Sequence, residues 1–271
     1  MTTRKGPKTL IMSGYGINCE RETAYAFRCA GTDPEILHLN DIIENRQHLK
    51  NCNILIFPGG FSMGDDTGSG LAYANMIRNH LEDELEAFRQ RDTLALGICN
   101  GFQMMTHLGF FPVSTKKYGT PETALVFNEN ARYRDLWVNL SVELSDCIWT
   151  RNMIDMHLPI AHGEGRFYAS DDIITKLNQQ GQIAFRYVNE DHMSSSEGQG
   201  NPNGSVDNIA GICDPTGRFL GMMPHPERAI VAMQDTRYTR KMENAIRNQK
   251  ILTQQTTNLD LFRNAIGYFR G

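Results

Sequence analysis

A buried-strand pattern running straight into Gly-x-Cys-x-Gly constrains this chain more than any other feature. Thr93-Leu94-Ala95-Leu96 reads as a core strand, and Gly97-Ile98-Cys99-Asn100-Gly101-Phe102-Gln103 follows with no linker. From Asn100 to Leu108 apolar residues recur at helical spacing. A small residue two places before and two places after Cys99 permits a sharp strand-to-helix turn. Such a turn holds the side chain at its apex strained and exposed, in the manner of a nucleophile elbow. The helix N-terminus then faces the thiol and lowers its pKa. A lone Cys is more often a small core residue, but the paired glycines and the strand-to-helix setting favour a nucleophile.

A second stretch, Met222-Met223-Pro224-His225-Pro226-Glu227-Arg228, supplies a base and an acid. The two prolines fix the backbone around His225 and deny it a helix or a central strand. Glu227 lies two residues on and projects to the same side of an extended segment. Read alone, this is also what a surface turn with a solvated His and Glu looks like. With Cys99 it has the composition of a Cys-His-Glu acyl-transfer site. In a third stretch, the apolar strand Asn53–Phe57 runs into Pro58-Gly59-Gly60-Phe61-Ser62-Met63-Gly64-Asp65-Asp66. Glycines after a parallel strand let backbone N–H groups approach a ligand, as an oxyanion requires. An ordinary Gly-rich turn fits the same residues. A phosphate loop does not, because the G-x-x-x-x-G-K-[ST] pattern is missing.

These stretches resemble class I (triad-type) glutamine amidotransferase domains. With Ala161-His162-Gly163-Glu164-Gly165-Arg166-Phe167, Asn201–Ser205, Asp207–Ile212 and Gly221–Ala229, the resemblance narrows to the glutaminase subunit (subunit I) of phosphoribosylformylglycinamidine synthase. The matching blocks span about residues 9 to 229, in the family's order. The resemblance implies Cys99 as nucleophile, His225 as general base and Glu227 as its orienter. It implies the N–H groups of Gly60 and Asn100 as the oxyanion hole. It implies substrate contacts from Gln103 and from His162, Gly163, Glu164 and Arg166, the last four in the glutamine pocket or on the face toward the synthetase. For His162 a satisfied histidine at a strand end fits equally well.

The resemblance further implies a partner synthetase subunit that carries ATP and magnesium and converts formylglycinamide ribonucleotide to formylglycinamidine ribonucleotide in purine biosynthesis. A small third subunit is implied as well. No cofactor and no metal are expected in this chain. The alternatives are a class I amidotransferase serving another synthetase and a cysteine hydrolase of the same fold. Extra length relative to the usual separate subunit is expected around residues 71–81, 126–154 and 190–200, where it bears on docking more than on chemistry.

Composition is typical of a soluble globular protein: 40% hydrophobic, 21% charged, net charge −4. That charge gives no reason to expect nucleic-acid or anionic-membrane binding. No apolar run approaches the ~18 residues of a membrane helix. The basic start, Met1–Lys8, is followed by too short an apolar run for a signal peptide, so the cytoplasm is the expected location. The cysteines at 19, 29, 52, 99, 147 and 213 form no C-x-x-C pair and no zinc-type spacing with histidine.

The alternation along the chain predicts an α/β fold: a doubly wound, mostly parallel sheet with flanking helices and added antiparallel strands. The resemblance implies that this sheet is of the flavodoxin-like, class I glutamine amidotransferase kind. Strands are predicted at Thr9–Met12, Glu35–Leu39, Asn53–Phe57 and Leu94–Ile98. A β-rich region follows, with strands at Ala124–Asn128, Leu136–Leu144, Leu158–His162, Gln182–Tyr187, Asn208–Cys213 and Phe219–Met222. Helices are predicted from an Asn18 N-cap to Ala30, closed by Gly31, and over Leu71–Arg91 and Leu259–Phe269. The whole chain, 1–271, reads as one amidotransferase domain with a helical tail from 230 to 271.

Overall fold

The computed structural model describes residues 6–114, 117–189 and 200–270. The predicted loop over residues 190–199 lies outside them. The strands are β1 Thr9–Ser13, β2 Glu35–His38, β3 Ile54–Phe57, β4 Leu94–Ile98, β5 Ala124–Val126, β6 Arg134–Val142, β7 Met156–His162, β8 Arg166–Tyr168, β9 Ile183–Val188, β10 Ile209–Cys213 and β11 Phe219–Met222. The helices are α1 Glu20–Ala30, α2 Leu39–Glu44, α3 Gln47–Asn51, α4 Leu71–Gln90, α5 Asn100–His107, α6 Asp171–Gln179, α7 Tyr238–Arg247 and α8 Asp260–Tyr268.

Nine strands form one sheet in the order β2-β1-β3-β4-β11-β10-β9-β6-β7. The pairings from β2 through β11 are parallel, and those from β11 to β7 are antiparallel, the predicted added strands. β3, β4, β10 and β11 are buried at every residue. They therefore read as continuous apolar runs and not as alternating ones.

Chain order explains the winding. From β1 the chain steps to one side to reach β2, and from β3 it steps to the other side to reach β4. Right-handed crossovers then place α1 and α4 on opposite faces. On the α1 face α8 packs through the Phe27–Phe262 ring contact at 5.2 Å. On the other face α5 lies over β3, β4 and β11 with α4 beside it. The direction of winding reverses between β1 and β3, so a crevice opens where the loops after these strands part. Gly14–Cys19 and Pro58–Gly60 meet there, bridged at Ile17 and Gly60.

Several local expectations shift. The N-cap of α1 is Cys19 and not Asn18, and no side chain caps that end. The Asn18 carboxamide accepts from the Cys19 thiol instead, at 3.1 Å. Gly31 does close α1 in the left-handed region, with φ 101°. The predicted strand at 124–128 is only β5, paired outside the main sheet with β8. The region 71–81 is the first half of α4, which kinks at Leu81 (φ −133°). The region 126–154 is mostly β6 and the turn leading to β7. In the polar tail, α7 is a helix in which no residue is buried.

Candidate active site

Parallel pairing of β4 with β11 builds the centre of the site. Their register sets Ile98 beside Met222. Cys99, one residue past the end of β4, is therefore next to the segment that leaves β11 toward His225. The Cys99 N–H donates to the Met222 carbonyl at 2.8 Å, and the His225 N–H donates to the Pro159 carbonyl of β7 at 2.9 Å. Cys99 and His225 are thus hung on backbone that the sheet itself fixes.

Cys99 adopts φ 53°, ψ −110°, a conformation that costs a non-glycine residue about 1–3 kcal/mol. The flanking glycines are sterically required. A Cβ on Gly101 would lie 1.8 Å from the Phe57 carbonyl oxygen, and one on Gly97 would lie 2.6 Å from the Met105 sulfur. The elbow therefore needs both glycines, to bring α5 down onto β3 and β4. The Cys99 thiol faces the Ala161 carbonyl at 3.7 Å, and the residue is 5% exposed.

His225 Nδ1 is 2.6 Å from Glu227 Oε1, and both side chains are buried. Burial alone would depress the His225 pKa, but the charges of Glu227 and of Cys99 outweigh it and hold it well above the usual histidine range. His225 Nε2 is buried with no hydrogen-bond partner, which leaves it to serve a thiol or a leaving group.

The Gly59-Gly60 loop is oriented from behind. The Gly59 carbonyl accepts from the N–H groups of Asn18 (3.3 Å) and Cys19 (3.2 Å). In a trans peptide the next N–H points the opposite way, so the Gly60 N–H faces away from α1. The Asn100 side chain locks this loop to the elbow helix. Its oxygen accepts from the Ser62 N–H at 3.0 Å, and its nitrogen donates to Asp65 Oδ1 (3.1 Å) and Gln103 Oε1 (2.9 Å). Burial raises the Asp65 pKa, against the hydrogen bonds it accepts. The two segments predicted to hold an oxyanion are thus tied together.

The other predicted contacts divide. Gln103 is committed at both ends, since its Nε2 donates to the Glu164 carbonyl while its Oε1 accepts from Asn100. It joins the elbow helix to the 162–166 loop and forms a wall of the site. Glu164 Oε2 accepts from the Ser69 N–H at 3.3 Å, and the Gly163 carbonyl accepts from Asn128 at 2.9 Å. The Arg166 side chain turns to the Gly204 carbonyl at 3.0 Å and holds the 201–205 turn. His162 is buried, and its Nδ1 is 3.0 Å from Asn128 Oδ1. Because the Asn128 nitrogen donates to the carbonyls of Arg132 and His162, its oxygen is an acceptor and His162 carries its proton on Nδ1. Burial, then the nearby His225, lowers the His162 pKa to about 4.

Sequence reasoning missed four neighbours. Tyr133 and Tyr187 both have raised pKa values, from burial and then from the charge of Cys99. Cys19 is fully buried against His225 and Glu227, and Arg228 Nη2 donates to its sulfur at 2.9 Å. No spacing rule links residues 19 and 225. Only the reversal of winding between β1 and β3 could have suggested the contact.

Comparison with known proteins agrees with this geometry. A CobB/CobQ-like glutamine amidotransferase domain matches residues 6–269. The phosphoribosylformylglycinamidine synthase subunit PurQ of Methanococcus maripaludis strain C5 is 48% identical over 265 residues, covering 97% of this chain and 98% of that protein. The phosphoribosylformylglycinamidine synthase of Schizosaccharomyces pombe is 37% identical over 242 residues, 86% of this chain but only 18% of that protein. Among solved structures, PurLQS from Thermotoga maritima contains a chain that superposes with a TM-score of 0.70 at 26% identity, covering 97% of this chain and 99% of that one. On both the match of its whole length and the fold, this chain belongs to the CobB/CobQ-like glutamine amidotransferases and, among them, to the PurQ subunits of phosphoribosylformylglycinamidine synthase.

Proposed function

We propose that this chain releases ammonia from glutamine through a Cys99-His225-Glu227 triad and feeds it to a synthetase subunit of phosphoribosylformylglycinamidine synthase in purine biosynthesis. The observation that carries the residue roles is the buried His225–Glu227 pair at 2.6 Å, set by the sheet beside a cysteine in an elbow. The raised His225 pKa favours the imidazolium, which has a proton to give to the leaving amide. The Cys99 thiolate attacks the side-chain amide carbon of glutamine and forms a C–S bond. The carbonyl oxygen takes up the negative charge and accepts from the N–H groups of Gly60 and Asn100. His225 gives its proton to the amide nitrogen, the C–N bond breaks, and ammonia leaves a thioester. His225 then takes a proton from water, hydroxide attacks the thioester, and glutamate departs with the thiolate restored.

We assign ATP and magnesium to the synthetase partner. A small third subunit completes the assembly, a reading that the composition of PurLQS supports. The chain is read as one amidotransferase domain over 1–271. Among the described residues no helix is long and apolar enough to cross a membrane, and we place the enzyme in the cytoplasm with its pathway. The test is glutamate release by the chain alone, then with the synthetase subunits, ATP-magnesium and formylglycinamide ribonucleotide. A sharp rise in the mixture supports the reading. A rate indifferent to the partners would point to another synthetase, and no turnover in any mixture would overturn the triad.

A further inference from the structure

We propose that Cys19, His225 and Glu227 form a binding site for a thiophilic divalent cation of the zinc class, and that its occupation arrests the glutaminase. One ligand atom from each of the three residues lies within 4.8 Å of the other two, and all three residues are buried. It is the sole such cluster among the described residues. Thiolate, imidazole and carboxylate together are the donor set zinc prefers. Tetrahedral zinc holds nitrogen and sulfur ligands about 3.6 Å apart, given its bond lengths of about 2.0 and 2.3 Å. Reaching that spacing requires the three side chains to close on the cation and the 2.6 Å His225–Glu227 hydrogen bond to open.

Gly59 packs its backbone directly against the corner these side chains share. A Cβ on Gly59 would lie 3.2 Å from Cys19 Sγ and 3.4 Å from His225 Nδ1. Glu227 Oε2 is buried and has no hydrogen-bond partner, so the carboxylate has a free oxygen to offer. Arg228 Nη2 donates to the Cys19 sulfur at 2.9 Å and the thiol itself donates to Asn18 Oδ1 at 3.1 Å; a metal would take the place of that thiol proton. A divalent cation with one thiolate and one carboxylate is neutral, and the Arg228 guanidinium beside the sulfur leaves the corner with one net positive charge.

Binding exchanges protons for metal. The Cys19 thiol and the His225 Nδ1–H each release a proton to solvent, and sulfur and nitrogen bond to the cation in their place. Glu227 exchanges its hydrogen bond from Nδ1 for a bond to the metal. The neutral ring then keeps its one proton on Nε2 and can no longer form the imidazolium that protonates the leaving amide. The cation therefore stops catalysis without touching the nucleophile. This inhibitory half rests on the triad reading above; the binding half does not.

The test uses the full-length chain freed of metal by chelation. Cobalt(II) titration reports a thiolate-to-metal charge-transfer band, and zinc calorimetry reports stoichiometry. We expect one cation per chain in the wild type and in Cys99→Ala. We expect affinity roughly tenfold or more weaker in Cys19→Ser and Cys19→Ala, with Glu227→Gln as an independent ligand variant. Melting curves on each variant verify that it folds. In the assembled synthase, zinc should inhibit glutamate release reversibly by chelator. Cys19→Ala, measured against its own zinc-free rate, should need correspondingly more zinc. A band lost in Cys99→Ala but kept in Cys19→Ala would overturn the site, as would the absence of saturable binding to the wild type. Failure of glutamine turnover would leave the cobalt result intact, so the two readings fail separately.

Discussion

His225 and Glu227 form a buried hydrogen-bonded pair 2.6 Å apart, and this pair governs how the site responds to pH. The folded pKa of His225 is raised above its unfolded value of about 6.5. The stabilisation by the pair is therefore complete below about pH 6.5 and is lost as pH rises through the folded value. Glu227→Gln should lower glutamine-dependent kcat by about 10³–10⁴-fold. Its stability deficit against wild type should be largest near pH 6.5 and shrink toward alkaline pH in denaturant titrations. A deficit that grows with pH would contradict the charge assignment.

Cys99→Ala should abolish glutamine-dependent synthesis in the assembled enzyme and spare synthesis supplied with ammonia, because only the first route passes through the thioester. Parallel assays with the two nitrogen sources decide this. Normal glutamine use by the variant would remove Cys99 from the mechanism.

The elbow stores strain that a stability measurement can detect. With φ 53° at Cys99, Cys99→Gly should be more stable than Cys99→Ala by roughly 1 kcal/mol, because glycine adopts this region freely. Urea midpoints of the two inactive variants make the comparison at equal chemistry. An alanine variant as stable as the glycine one would mean the turn relaxes.

Gly101→Ala should fail as a fold before it fails as an enzyme. Its added carbon would sit 1.8 Å from the backbone oxygen of Phe57, and neither partner is a flexible side-chain end. A loss of several kcal/mol, on the order of the largest single-site effects, should appear as insolubility or a much lower melting temperature.

His162 titrates in the opposite sense to His225. Its folded pKa is about 4, below the unfolded value of about 6.5. The unfolded chain then binds the extra proton between these values, and stability falls as pH drops through that window, by up to about 3 kcal/mol. His162→Gln should flatten the acid limb of the stability profile. Carbon-bound ring proton shifts in NMR would report the depressed value directly.

The parts of this protein most legible in its sequence were those where local chemistry and global fold ask for the same residues. The Gly97–Gly101 elbow is readable because only glycine permits the close approach of α5 to β3 and β4. The Pro-His-Pro-Glu segment was legible only through the family resemblance: Pro226–Arg228 forms a 3-10 turn and not the extended segment expected, and this turn brings Glu227 back to His225. Gly31 ended α1 where expected, for the same reason of backbone freedom. Contacts across the sheet were not legible. Cys19 reaches His225 only after β1, β3, β4 and β11 are placed side by side, and no local pattern carries that order. The same holds for Tyr187, whose approach to Cys99 depends on the antiparallel half of the sheet. The wall-forming role of Gln103 was hidden because its partners, Asn100 and the Glu164 carbonyl, belong to segments that meet only in three dimensions.

The pairing of Ile98 with Met222 has a practical corollary. A slip of one residue between β4 and β11 would turn every side chain of one strand to the wrong face and carry His225 away from Cys99. No partly slipped molecule would turn over glutamine slowly; it would be silent. Titration of the active thiol in a preparation would therefore count the molecules whose central sheet has zipped correctly, so an enzyme assay doubles as a census of folding.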